Sequence, residues 1–185
     1  MTGIETSTDP PGASGDGTDF SDFVRGRSTA LLRSTVLLTG GDRALAEDLL
    51  QGVLERMYVR WRRIRESPEA YARRALVHAA INSRRRRNRR PELPLLAPDG
   101  VGAPGRDETA GVDQRDLLVR ALLTLPPRQR AVLVLRYFDD LSELATAAAL
   151  GCSVGTVKST ASRALARLRA QLPADVDIPT AGGTR

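Results

Sequence analysis

The stretch that most constrains this chain is 140–172, DLSELATAAALGCSVGTVKSTASRALARLRAQL. It reads as a helix, a tight turn and a second helix. Leu141, Leu144, Ala148 and Leu150 fall near one face of the first helix. Gly151 follows the last apolar position, where a left-handed residue closes a helix. Ser153 stands where the second helix needs an N-cap acceptor. From Val154 onward, Val157, Ala161, Ala164, Leu165, Leu168 and Leu172 recur at three and four. Ala147, Gly151 and Val157 thus carry the spacing of a helix-turn-helix. A small residue lets the helices cross, a Gly turns the chain, and a β-branched residue seats the second helix on the core.

The second helix is charged on one side only. Lys158, Arg163, Arg167 and Arg169 lie between Ser153 and Gln171, and no acid does. An ordinary amphipathic helix in a bundle is the plain alternative. The coincidence of turn, cap and basic face favours a helix docked on nucleic-acid phosphate.

The rest of the composition agrees with a helical, polyanion-binding protein. Aromatics make up 4% of the 185 residues, and the apolar content is mostly Ala, Leu and Val, which suits helices packed through small and branched side chains. The net charge is +6, which points to a nucleic acid or a membrane surface as partner. No run of about 18 apolar residues exists to span a membrane, and the polar N-terminus lacks a signal-peptide core. Cys152 is the single cysteine, so an internal disulfide is excluded and a reducing cytoplasm is expected. Its place in the turn suggests a small buried filler rather than a redox thiol.

Residues 1–18 hold four Gly and two Pro among small polar residues and are expected to be disordered. The first structured block, 19–90, opens with Phe20, Phe23 and Val24 and resumes its stripe at Leu31, Leu32, Val36, Leu37 and Leu38. Gly40 and Gly41 break it, and Asp42 caps a long helix. In that helix Leu45, Leu49, Leu50, Val53, Leu54, Met57, Tyr58, Trp61 and Ile64 repeat at helical spacing. Gly52 inside it costs roughly 1 kcal/mol against Ala, and only close packing would account for it. Ser67–Pro68–Glu69 starts another helix with Pro at its first position, placing Tyr71, Ala75, Leu76, Ala79, Ala80 and Ile81 inward. Between Arg56 and Arg90 stand thirteen Arg against two Glu, six of the Arg within SRRRRNRR (83–90). This dense block reads as a phosphate-binding strip rather than a solvated helix end. Asp42, Glu47, Asp48 and Glu55 make the preceding helix acidic instead; its first acid suits the helix dipole, and the others could form a protein-binding face.

Residues 91–112 contain four Pro and four Gly and read as a flexible linker. The second block, 113–172, places Leu117, Leu118, Ala121, Leu122 and Leu125 on one helix. Pro126–Pro127 end it and start the next, which carries Val132, Leu133, Leu135 and Arg136 toward Tyr137–Phe138. Residues 173–185 form a short flexible tail. The fold class is therefore all-α: two small helical domains joined by a linker.

In this order the parts resemble the bacterial RNA polymerase sigma factors of the extracytoplasmic-function (ECF) type, in the style of actinobacterial members. The motifs are AEDLLQGVLERMYVRW (46–61), YARRALVHAAINSRRRR (71–87), LLTLPPRQRAVLVLRYFDDLS (122–142) and LGCSVGTVKSTASRALARLR (150–169). The resemblance covers about 19–172 and implies sigma domain 2 in the first block and sigma domain 4 in the second. It implies that Glu47, Asp48 and Gln51 dock on the β′ clamp helices of core polymerase, and that the β flap is a further contact. It implies that Trp61, Tyr71, Arg73, Arg74, His78, Arg84 and Arg85 serve the minus-10 region, where melting and base flipping cost a few kcal/mol of stacking. Trp61 and Tyr71 have an equally good alternative as core anchors. The recognition helix would lie in the major groove of the minus-35 element through Lys158, Ser159, Ser162, Arg163 and Arg167, with Gly155 and Thr156 at its phosphate-facing N-terminus.

The chain departs from the family pattern at Gly52, His78, Asn82 and Ala145. His78 is the only histidine, which argues against a metal role. No triad, metal cluster or phosphate loop is present, so neither catalysis, a cofactor nor a small-molecule substrate is expected. The resemblance implies promoter DNA and core polymerase as partners, leaves room for an anti-sigma protein that covers both working faces, and implies a cytoplasmic protein that joins the nucleoid in holoenzyme. A one-component helix-turn-helix regulator would instead bind DNA alone, usually as a dimer on a two-fold site. A general RNA-binding basic protein would track salt and length, not sequence.

Overall fold

The computed structural model describes residues 14–64, 67–89 and 111–173, with side chains outside the description at 14–18, 84–85, 87–89 and 111–116. These residues form seven α-helices and, among those described, no strand. Helix α1 (Ser14–Thr39) begins within the segment expected to be disordered; residues 1–13 lie outside the described residues. Two glycines turn the chain, both at φ +86°, with Gly41 N–H donating to Val36 carbonyl at 2.9 Å. Asp42 then caps α2 (Arg43–Arg60) by accepting from Leu45 N–H at 2.9 Å. A 3₁₀ turn (Trp61–Arg63) leads on to α3 (Pro68–Arg89), which starts on the expected Pro.

Helices α1, α2 and α3 close one core on Leu31, Leu50, Val53, Met57, Ala72 and Leu76. The stripe on α2 is narrower than the sequence suggests: Tyr58 is 62% exposed. Gly52 has no close-packing role either, because a Cβ there meets nothing nearer than the Arg56 guanidinium, at 3.5 Å. Gly52→Ala is therefore expected to raise stability by up to about 1 kcal/mol through helix propensity. Urea unfolding reads this directly, and a loss of stability would contradict it.

The second half starts with α4 (Gly111–Thr124). Pro126 and Pro127 separate it from α5 (Pro127–Leu133), as the paired prolines require. A π-helical turn follows (Val134–Phe138), closed by Asp139 N–H donating to Val134 carbonyl at 2.9 Å. Ser142 caps α6 (Glu143–Leu150) by accepting from Ala145 N–H. Gly151 ends it at φ 62°, ψ 44°, and Ser153 caps α7 (Val154–Arg169). The turn chemistry of the helix-turn-helix is the one expected, but the inward face of α6 is not. Thr146, Ala147 and Ala149 are buried, whereas Leu144 is 73% exposed. Ala161, Ala164, Leu165 and Leu168 of α7 complete a core with Leu125, Leu133 and Val157.

The two halves are not separate bodies. Leu37 and Leu38 of α1 and Val77 and Ala80 of α3 form one buried cluster with Ala131, Val134, Leu135 and Ala149. Helix α5 lies between the halves, packed on α7 at one side and on α1 and α3 at the other. Every residue from Arg130 to Arg136 is buried for this reason. The same docking accounts for the face of α3: Ala72 and Val77 are buried beside the expected Leu76 and Ala80, because the helix covers two neighbours rather than one.

Candidate nucleic-acid interface

Helix α7 presents its polar residues as one stripe. Gly155, Thr156, Lys158, Ser159, Ser162, Arg163 and Arg167 are all exposed, while Val157, Ala161, Ala164 and Leu165 hold the opposite side to the core. Ser153 Oγ accepts from Thr156 N–H at 3.2 Å and pairs with the Thr156 hydroxyl at 2.9 Å. The remaining first-turn N–H groups point outward with no acid in that turn, a geometry that suits an anion. Arg163 Nε donates to Ser159 carbonyl at 3.1 Å, which lays its guanidinium along the stripe. Lys158 meets Glu143 of α6 at 3.4 Å; Lys158 is exposed and Glu143 half-buried, and so open a pair contributes little to stability, so Lys158 can be released to a phosphate. Cys152 is partly buried against the same core, in keeping with a filler.

The other basic helix divides its residues between two jobs. Arg74, His78 and Tyr71 share one face of α3, with His78 exposed and the Arg74 guanidinium 5.7 Å from the Tyr71 ring centroid. Tyr71 is half-buried against the first core. Trp61 packs edge-on to Phe20, at 5.1 Å between centroids, and at 5.4 Å to Phe23, so its ring anchors α2 on α1. Arg73 turns away from this face. Its guanidinium contacts Glu69 and Asp139, each at 2.6 Å. Burial works against its charged form, but the hydrogen bonds to the two carboxylates outweigh that and hold its pKa above the ordinary value. Arg84 and Arg85 lie on α3, with side chains outside the described residues.

Helix α2 carries the acidic face. Glu47, Asp48 and Gln51 are exposed on it; Glu47 accepts from Arg43 at 2.8 Å and Gln51 donates to Glu55 at 3.0 Å. Beside them an open groove of about 480 Å³ runs between α1 and α2 over Phe20, Val24, Leu50, Leu54 and Tyr58. Sequence periodicity assigned Tyr58 inward and so missed this apolar strip bordered by Glu47, Gln51 and Glu55. Two further contacts had no sequence signal, Ser34 with Asp139 and Arg130 with the Leu37 carbonyl, because each forms only through the docking of the halves. Among the described residues no group of three His, Cys, Asp or Glu side chains could hold a metal ion, and no helix is long and apolar enough to cross a membrane.

A helix-turn-helix with an exposed basic face, packed on a second helical unit with its own basic helix, is the architecture of a DNA-binding protein. Residues 27–90 match the model of Sigma-70 region 2, and residues 115–168 match that of Sigma-70 region 4. The chain is 42% identical over 166 residues to the RNA polymerase sigma-E factor of Streptomyces coelicolor, covering 88% of this chain and 92% of that one. It is 40% identical over 95 residues to the ECF RNA polymerase sigma factor SigM of Mycobacterium tuberculosis, covering 51% of this chain and 46% of that one. Its fold is similar to that of the sigma factor RpoE of Bartonella quintana, solved in complex with the anti-sigma factor NepR. The TM-score is 0.71 at 24% identity, over 85% of this chain and 99% of that one. The chain belongs to the RNA polymerase sigma factors of the ECF type. Such proteins bind core polymerase and promoter DNA, direct initiation, and catalyse nothing themselves.

Proposed function

We propose that the working faces divide between the halves, with domain 2 over 19–90 and domain 4 over 113–172. The acidic face of α2, through Glu47, Asp48 and Gln51, docks on the β′ clamp helices, and the groove beside it receives apolar side chains of that partner. Helix α7 reads the minus-35 element through Lys158, Ser159, Ser162, Arg163 and Arg167, with Gly155 and Thr156 against a phosphate. The Tyr71, Arg74 and His78 face of α3, continued by Arg84 and Arg85, serves the minus-10 region, and Trp61 supports that face from behind. The observation that carries this reading is the unbroken exposed stripe on α7, free of acids, on a helix whose other side is fully committed to the core. The protein works in the cytoplasm and at the nucleoid when in holoenzyme. By analogy with RpoE, whose solved partner is an anti-sigma factor, an anti-sigma protein is a proposed regulator here.

The test is reconstitution with bacterial core polymerase and a pool of promoter fragments. Arg163→Ala is expected to lose about 1–3 kcal/mol of promoter discrimination while core binding is unchanged. Asp48→Arg is expected to weaken core association without changing the preferred sequence. Crossed results, with Arg163→Ala failing on core, would overturn the division of faces. Selective DNA binding by the chain without core, with no initiation when core is added, would favour a one-component regulator.

A further inference from the structure

The chain holds 28 Lys and Arg residues, and Lys158 is its one lysine. It stands one turn into α7, on the exposed stripe, with its side chain 63% exposed. Its ammonium lies 3.4 Å from a carboxylate oxygen of Glu143, the first residue of α6. The Glu143 side chain is 28% exposed and rides on a helix packed against α7. Glu143 thus brings a half-buried acid to a stripe that carries none of its own. Arg163 is held differently, by its own helix: Nε donates to Ser159 carbonyl at 3.1 Å.

The pair acts in opposite directions on two kinds of DNA contact. A phosphate rewards charge and carries no sequence information. Lys158 reaches one by leaving Glu143, and the gain is offset by the pair it gives up. A base edge rewards geometry instead. An ammonium has three donors, so Lys158 can keep one on Glu143 and turn another toward the O6 or N7 of a guanine. A guanidinium would close its planar fork on the carboxylate, so a lysine suits this place better than an arginine. Reaching a base also costs a long flexible side chain its rotamer freedom. The contact with Glu143 already restrains that side chain in the free protein.

We propose that Glu143 is a positioning residue for promoter selection: it holds Lys158 toward one guanine of the minus-35 element and withholds its charge from non-promoter phosphates. The inference rests on the reading that α7 serves that element. Glu143 acts through Lys158 and need touch no DNA itself. Its removal lowers discrimination from both sides. The freed lysine adds one phosphate contact on any duplex, which steepens the fall of log K with log salt by about 0.9. The same freedom blunts the choice of base at one position by roughly tenfold, the weight of one good base contact.

The experiment compares the parent chain, Glu143→Gln, Lys158→Gln and the double variant in two measurements. The full chain is titrated with salt on a random-sequence duplex. Holoenzyme rebuilt with core polymerase is scanned against single base-pair substitutions across the minus-35 element. Glu143→Gln is expected to bind the random duplex several-fold more tightly at about 0.1 M salt, with the steeper slope. It is also expected to lose preference at the base pair that Lys158→Gln makes indifferent. Added to Lys158→Gln, the Glu143→Gln change is expected to do nothing further. A merely destabilised α6 would weaken binding to the random duplex, which is the opposite sign. An unchanged slope or an unchanged scan in Glu143→Gln would overturn the inference. So would an effect that persists undiminished without Lys158, since Glu143 would then act as a general negative charge. If Lys158→Gln alters no position of the scan, the reading of α7 fails and the inference with it. A scan that Lys158→Gln alters and Glu143→Gln does not overturns the inference alone.

Discussion

Val157→Asp is expected to abolish minus-35 recognition while leaving the α2 face able to bind core. Val157 is 1% exposed and lies in the cluster that seats α7 on Leu125, Leu133 and Ala147. A carboxylate there has no partner and must either be buried uncompensated or drag water into the core; either route costs several kcal/mol. A loss above about 4 kcal/mol is a large share of the stability of a small domain. Helix α7 would then lose its bed, and with it the alignment of Lys158, Ser159 and Arg163. Val157→Ala keeps the site apolar and should cost far less, about 1–3 kcal/mol. Thermal unfolding with holoenzyme binding to promoter fragments separates the two variants. A Val157→Asp protein that melts normally and still selects promoters would mean that the stripe on α7 does not depend on this seat.

Gly40→Ala is expected to destabilise the protein by about 2–4 kcal/mol, through two independent causes. Gly40 has φ +86°, where an L side chain costs roughly 1–2 kcal/mol. A Cβ there would also stand 2.5 Å from Arg130 Nη1. A long side chain could usually swing aside, but Arg130 is 1% exposed and tied to two carbonyls, so moving it breaks hydrogen bonds to a buried charge, worth about 1–3 kcal/mol. The second cause vanishes if Arg130 is absent. On an Arg130→Ala background, Gly40→Ala should cost only the backbone strain, a coupling of about 1–2 kcal/mol in a double-mutant cycle. Simple additivity would show that the two residues do not meet.

How far the fold can be read from the residues depends on how many neighbours each helix has. Helix α7 was legible throughout, because it buries one side and its ends carry unambiguous chemistry in Gly151 and Ser153. Helix α5 was not. The run AVLVLRYF has no polar face, since it is sandwiched between two halves that the sequence treats as independent. That lack of a polar face was itself a sign of burial on both sides. Helix α6 failed for another reason: a run of Ala carries little phase, and Leu144 drew the inward face to the wrong side. Trp61 had two readings from sequence, and the neighbouring rings of Phe20 and Phe23 supply the packing role. Arg73 looked like its neighbour Arg74 in sequence. Glu69, one turn earlier, and the distant Asp139 together draw Arg73 away from the face that Arg74 shares with Tyr71.

The wide turn at Val134–Phe138 sets a bearing. A π turn holds one residue more than the α-helical turn it replaces, and each residue of an α-helix advances about 100° around the axis. Losing a single residue here would keep the composition of the core almost intact and yet swing everything downstream, Asp139 and the helix-turn-helix included, by about that angle. A change in this turn alters which way the reading helix looks when it arrives. The bearing of the reading helix is thus fixed by one five-residue turn, of which Val134, Leu135 and Arg136 are buried.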